Sequence, residues 1–406
     1  MPDQFTPHSD SEAVDSAKRY YGLDFIRASM LLLGVVIHVA ASFVEGPGDV
    51  VWPYRDPNPT PWAGIIVLGI HIFRMPTFFV MAGFFAALIQ DRKGLVVLAR
   101  NRFFRIAIPF AVGWVILFPI VNFSFLIGVL RMLGSDAEGQ TTGAAIAVAV
   151  LSNPWGNPQP IHLWFLYYLL MIYVIALSVV SAIRFAPASA RNLCTKCMHE
   201  LMQGRVRFLR IPILAVVTWV TLLPMKAPSI DTPNTFMPQW HVLLCYAFFF
   251  AVGWAVFLQR GMIDSLKAWA VTRLICGVIA LLISLAFTLS WYGALFSGDD
   301  ISSPKMQSLL FASQAFISVT VWLLIFGGVG VAERIMRRPR RIVRYMCDSS
   351  YWIYFVHLPI CVLVVVALRD WNAPGMVKMS AAIGLSIVMG LLSYEAVRCT
   401  ITQRTR

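Results

Sequence analysis

One apolar stretch carries residues that an apolar stretch has little reason to hold. Leu23 to Phe43 (LDFIRASMLLLGVVIHVAASF) contains Asp24, Arg27 and His38. About 20 apolar residues span a bilayer core, so the stretch is long enough to cross one. Ionisable groups inside a membrane are costly, and they usually face a protein or water-filled interior and mark a site. Arg27 and His38 are eleven residues apart in the sequence. On a helix that is three turns plus about 20°, so both share one face, roughly 16 Å apart along the axis. An arginine binds anions by charge and paired N–H groups. An imidazole titrates near neutral pH and can act as a general base.

Three further histidines and a second arginine sit in apolar segments. His71 and Arg74, three apart, share a helix face in HIFRMPTFFVMAGFF. His162 stands in IHLWFLYYL and His357 in YWIYFVHLPI. His38 and His71 fall at similar depth, roughly 10–14 Å below one membrane surface at 1.5 Å per residue. For any single histidine, packing in a hydrogen-bonded core is the ordinary explanation. Four at compatible depth, with Arg27 and Arg74, point to a polar cavity. Arg102 and Arg105 form R-x-x-R where a third apolar run begins, so two guanidiniums on one face can meet one anionic ligand. Ordinary topological charge accounts for Arg100 and Arg102 well, and for the deeper Arg105 less well. Cys194, Cys197 and His199 make half of a metal motif with no second half nearby, so no metal is expected. Asp348 is a candidate N-cap for the ninth apolar run.

The elements that would hold these residues are membrane helices. The chain has 406 residues, 58% of them hydrophobic and 13% charged, with a mean hydropathy of +0.72. That excludes an ordinary soluble domain. Ten apolar spans are expected at about 23–44, 62–89, 104–130, 160–183, 209–224, 241–259, 271–291, 307–332, 349–368 and 376–397. The one from 209 is the shortest. The fold class is therefore all-α, polytopic and one domain over 23–397, with short tails at 1–22 and 398–406. Lys and Arg concentrate in alternate loops, as in Arg334 to Arg344, which places both termini in the cytoplasm. The net charge of +13 then needs no nucleic-acid partner, and the basic loops suit membrane lipids. The opposite loops, near 46–62, 152–160 and 224–240, are rich in Pro, Asn, Gly and Trp and read as structured turns. Trp52, Trp62, Trp155, Trp164 and Trp240 fit an interfacial aromatic belt, with sugar stacking as the minority reading.

The arrangement is directional, with a cationic mouth toward the cytosol, histidines toward the other side, and Arg27–His38 linking the two. Transfer of an acyl group across the membrane fits it, from an anionic cytosolic donor to a hydroxyl deprotonated by imidazole. A proton- or anion-coupled transporter remains its rival.

The R-x10-H of Arg27 and His38 and the R-x-x-R of Arg102 and Arg105 resemble the signatures of the acyltransferase-3 family of integral membrane enzymes. HIFRMPTFFVMAGFF, HLWFL and YWIYFVHLPI resemble, more narrowly, its glucan biosynthesis protein C branch. The likeness runs from about residue 20 to 397. It implies a multi-pass protein of the bacterial inner membrane that transfers succinyl from succinyl-CoA to hydroxyls of an osmoregulated periplasmic glucan, with no bound cofactor. It carries over His38 as the catalytic residue and Arg27, Arg102 and Arg105 as donor-binding. His71, Arg74, His162 and His357 become acceptor or cavity residues. Ala82 departs from the family, many of whose members have Ser there. O-acetylation of lipopolysaccharide or another envelope polymer is the alternative within the same reaction class, and transport of a glucan or acyl donor is the alternative outside it.

Overall fold

The protein is described by a computed structural model covering residues 20–45, 52–133, 137–338 and 340–404. Among them there is no strand. Nine helices are long and apolar enough to cross a membrane. These include α1 (Tyr21–Ala40) and α2 (Pro61–Lys93). Next come α3 (Leu95–Arg102) and α4 (Ile108–Met132), joined into one long span by a π-helical turn, Phe103–Ala107. After α5 (Ala137–Ser152) follow α6 (Trp164–Ile183), α7 (Ala188–Met202) and α8 (Arg210–Leu222). The chain continues through α9 (Trp240–Leu258), α10 (Gly261–Lys267) and α11 (Ala270–Phe296). It ends with α12 (Pro304–Ile335), α13 (Arg341–Ala367) and α14 (Gly375–Arg404). The all-α, multi-pass architecture expected from composition is thus the observed one. Most of the expected tail 1–22 lies outside the described residues.

The expected span at 209–224 is the one that falls short. Helix α8 has 13 residues, about 20 Å of rise, less than a bilayer core. The cause is local. Pro224 cannot continue the helix; the Leu222 carbonyl accepts from the Met225 N–H at 2.8 Å, and the carbonyls of Leu222 and Met225 also accept from the buried Gln314 side chain at 3.0 and 3.1 Å. The following segment turns inward, with Met225 and Ile230 fully buried. It meets His71, ten residues and so about 15 Å along α2 from that helix's start.

Two smaller expectations also change. The loop expected across 131–159 contains α5, because AEGQTTGAAIAVAVLS has no proline and is rich in alanine, the best helix former. Asp348 is no N-cap. Helix α13 starts seven residues earlier, at Arg341, with no breaker between, and Asp348 pairs with Arg344 at 3.9 Å on the same helix. Cys194 and Cys197 are exposed on α7, and no group of three metal-binding side chains occurs among the described residues.

Helices α2 and α9 approach closely. A Cβ on Gly83 would stand 1.9 Å from the Phe250 carbonyl oxygen, and one on Gly253 would stand 1.9 Å from that of Val80. Backbone therefore meets backbone in both directions, as small residues allow between membrane helices. Gly83→Ala forces the helices apart and is expected to cost about 1–3 kcal/mol, the usual penalty of overpacking. A drop in the melting midpoint of detergent-purified protein measures it, and an unchanged midpoint contradicts the packing described.

Candidate active site

All four candidate arginines surround a single cavity of about 650 Å³. They are Arg27 of α1, Arg74 of α2, and Arg102 and Arg105 at the α3–α4 junction; none of the four candidate histidines lines it. The volume lies within the roughly 300–1,000 Å³ usual for small-molecule sites. Phe78, Phe85, Phe165, Tyr173, Tyr351 and Tyr354 give it aromatic walls. Ala82, where the family often has serine, lines it with a methyl group.

The mouth is cationic because of how the chain is built there. Pro109 has no N–H, so the Arg105 carbonyl, four residues earlier, loses its regular helical partner. That carbonyl accepts instead from the Tyr351 hydroxyl at 2.7 Å, and the helix widens into the π-turn that carries Arg105. Such turns recur at functional sites. Arg102 lies over the Tyr173 ring at 4.9 Å. Its Nε and the nearby Asn101 Oδ1 are buried without a hydrogen-bond partner. Neither Arg102 nor Arg105 has a carboxylate partner among the described residues. Arg27 has one, Asp24 at 3.7 Å, in a partly exposed pair.

Arg74 closes the far end of the cavity. It is 7% exposed, and its Nε donates to the Met30 carbonyl at 3.2 Å. Its guanidinium occupies the space that Gly34 leaves open, since a Cβ there would stand 2.7 Å from a terminal nitrogen. Gly34 lies between Arg27 and His38 on α1, so the helix face that carries those two also seats Arg74.

The histidines begin one turn beyond. Tyr354 lines the cavity, and His357 follows it on α13 by about 4.5 Å of rise. The His357 ring is 5.0 Å from that of His38 and 5.1 Å from that of His162. Three of the four expected histidines thus form one group, drawn from α1, α13 and the turn before α6. His162 and His357 are buried, whereas His38 is partly exposed. His71 stands apart, with its Nε2 2.9 Å from the Ile230 carbonyl and 3.1 Å from the Thr232 hydroxyl of the inward loop.

Trp52 was assigned to an interfacial belt by sequence, and the structure gives it a more specific place. Its ring stacks on His38 at 5.5 Å and 19°. Its Nε1 donates to Ser42 Oγ at 2.8 Å, and its ring meets the edge of Phe125. The segment behind it is pinned by a fully buried ion pair, Lys378 Nζ to Asp56 at 2.8 Å, with Lys378 also donating to the Arg369 carbonyl. No spacing rule links residue 52 to residue 38. The signal that was available is the polar Asp56 in a short Pro-rich loop facing Lys378 in an apolar helix.

Comparison with known proteins agrees with the geometry. The model of the acyltransferase domain (acyltransferase-3 type) matches residues 20–395. Glucans biosynthesis protein C of Escherichia coli O157:H7 (strain EC4115 / EHEC) is 25% identical over 347 residues, which cover 85% of this chain and 82% of the relative. The protein of the same name from Escherichia coli O9:H4 (strain HS) is 25% identical over 349 residues, with the same coverage. No solved structure matches the chain. With the family model covering nearly all of the chain, and its helices carrying Arg27 and His38 on one face, the protein belongs to the acyltransferase-3 family.

Proposed function

We propose that the protein transfers a succinyl group from succinyl-CoA to a hydroxyl of a periplasmic glucan in the bacterial inner membrane. The observation that carries this reading is the continuity of the site. One cavity runs from the unpaired Arg102 and Arg105 to Arg74, and the His38 group begins one turn further on. The resemblance of the relatives named for glucan biosynthesis supports the choice of acceptor.

In this reading Arg27, Arg102 and Arg105 hold the phosphates of the donor at the cytosolic mouth, where guanidinium pairs well with phosphate. The pantetheine arm lies against the aromatic walls. The acceptor hydroxyl reaches His38 from the opposite side, beneath Trp52. His38 takes the hydroxyl proton as the oxygen attacks the thioester carbonyl carbon. The C–S bond breaks, the ester remains on the glucan, and coenzyme A leaves as thiolate and is protonated by solvent. Transfer is direct, without an acyl-enzyme; trapping of an acyl-histidine contradicts that part.

Mass spectrometry of periplasmic glucans from cells with and without the protein is the test. A mass increment of a succinyl group with added negative charge is the expected result. An acetyl increment on a neutral glucan, or on another envelope polymer, replaces the proposed donor or acceptor. No covalent change with altered glucan flux favours transport.

In this reading Arg74 binds the distal carboxylate of the succinyl group, because guanidinium recognises carboxylate through two parallel bonds. Arg74→Lys is expected to lower the preference for succinyl-CoA over acetyl-CoA about tenfold, a charged hydrogen bond being worth about 1.5–3 kcal/mol. Competition between the two thioesters measures it, and an unchanged ratio removes the role.

A further inference from the structure

The two buried histidines beside His38 each spend one ring nitrogen on a backbone carbonyl and leave the other with nothing. Pro359 has no N–H, so the Phe355 carbonyl, four residues earlier on α13, is released from the helix. His162 Nε2 lies 2.9 Å from that oxygen. A carbonyl only accepts, so Nε2 carries the hydrogen and the neutral ring presents Nδ1 as an acceptor. His357 is fixed the opposite way. Its Nδ1 donates to the Tyr354 carbonyl at 2.7 Å, which leaves Nε2 as the acceptor. His162 Nδ1 and His357 Nε2 are both buried and both without a hydrogen-bond partner among the described residues. The residues are 7% and 3% exposed, and the rings meet edge to face at 5.1 Å.

Buried acceptors without donors are costly, and native structures rarely keep two side by side without use. A carboxylate or phosphate offers no hydrogen to them. A single alcohol offers one, and that one goes to His38 when it reacts. A polyol offers several, spaced along one ring.

We propose that His162 Nδ1 and His357 Nε2 form an acceptor subsite that receives hydroxyls next to the reacting one, so that the enzyme selects a sugar or other polyol over a monohydric alcohol. The inference rests on the acyl-transfer reading above and names the part of the site that recognises the acceptor. His162 and His357 act here in binding, while the proton of the reacting hydroxyl goes to His38.

The test uses the purified full-length protein in detergent, methyl glucoside and its monodeoxy derivatives as acceptors, and whichever of succinyl-CoA or acetyl-CoA it consumes. The acylated position is first read from the product by NMR. Among the deoxy glucosides that keep that position, at least one is expected to react with kcat/KM lowered about tenfold or more, as when a buried acceptor loses its donor. His357→Phe is expected to bring that ratio close to one, and His357→Gln, whose amide oxygen still accepts, to restore part of it. Equal rates for all such deoxy glucosides with the wild-type protein overturn the subsite, whether or not the variants fold, and mean that water fills the pair. A ratio left intact in His357→Phe overturns it as well. Absence of transfer to every glucoside in the wild-type protein would instead count against the sugar acceptor itself.

Discussion

His38→Ala is expected to lower acyl transfer about 10²–10⁴-fold, the usual contribution of a positioned general base. The loss should appear in kcat, because Arg27, Arg102, Arg105 and Arg74 still line the cavity proposed to hold the donor and His38 does not. Thiol release from the donor gives the rate, and donor protection of the melting midpoint gives the binding. His38 is partly exposed and packs against Trp52 and His357 rather than deep in the core, so its truncation should leave the fold standing. A variant that keeps transfer within tenfold of wild type would remove His38 from the chemistry. His38→Gln sharpens the result, since an amide fills much of the space but does not take a proton.

Lys378→Met is expected to destabilise the protein by about 3–5 kcal/mol, the cost of leaving one charge of a buried pair uncompensated. Both Lys378 and Asp56 side chains are wholly buried. Lys378 also donates to Asn58 Oδ1 at 3.3 Å and to the Arg369 carbonyl at 2.8 Å, so its loss strands several acceptors. Asp56→Leu combined with Lys378→Met should recover a large part, because an apolar pair of similar size is often neutral in such places. Thermal unfolding of the single and double variants gives the coupling. The same change reaches the site, because the Asp56 N–H donates to Ser42 and Ser42 accepts from Trp52. Activity measured well below the melting midpoint should therefore fall in the single variant more than folding alone explains. Additive effects of the two substitutions would mean that the pair is not coupled.

The spans were legible because hydrophobic length and basic loops are read directly from composition. The faces of α1 and α2 were legible because helical spacing fixes which residues align. Spacing aligned Arg27 with His38 on α1, whereas the meeting of Arg27 with Arg102 and Arg105, and of His38 with His162 and His357, came from packing between helices. What escaped depends on contacts distant in sequence. The inward turn after α8 needs Gln314 from α12 to receive its carbonyls. The separation of His71 from the other histidines follows from that same loop. Trp52 needs the Asp56–Lys378 pair, drawn from opposite ends of the chain. Two prolines occupy an intermediate place. Pro109 and Pro359 each free the carbonyl four residues earlier, a rule readable in any sequence, but only the fold shows that Tyr351 and His162 collect them.

The close seating of α2 on α9 has a mechanical consequence. Gly83 and Gly253 bring main chain against main chain, and that contact has almost no compliance. The α2 wall of the cavity, from Met75 to Phe85, is accordingly its stiff side. The wall that runs from Asn101 to Pro109 contains a π-turn, and Gly94 precedes it at a φ of +81°. In the acyl transfer proposed above, a donor with a bulkier acyl arm is then expected to be accommodated by a shift of residues 101–109 rather than of α2.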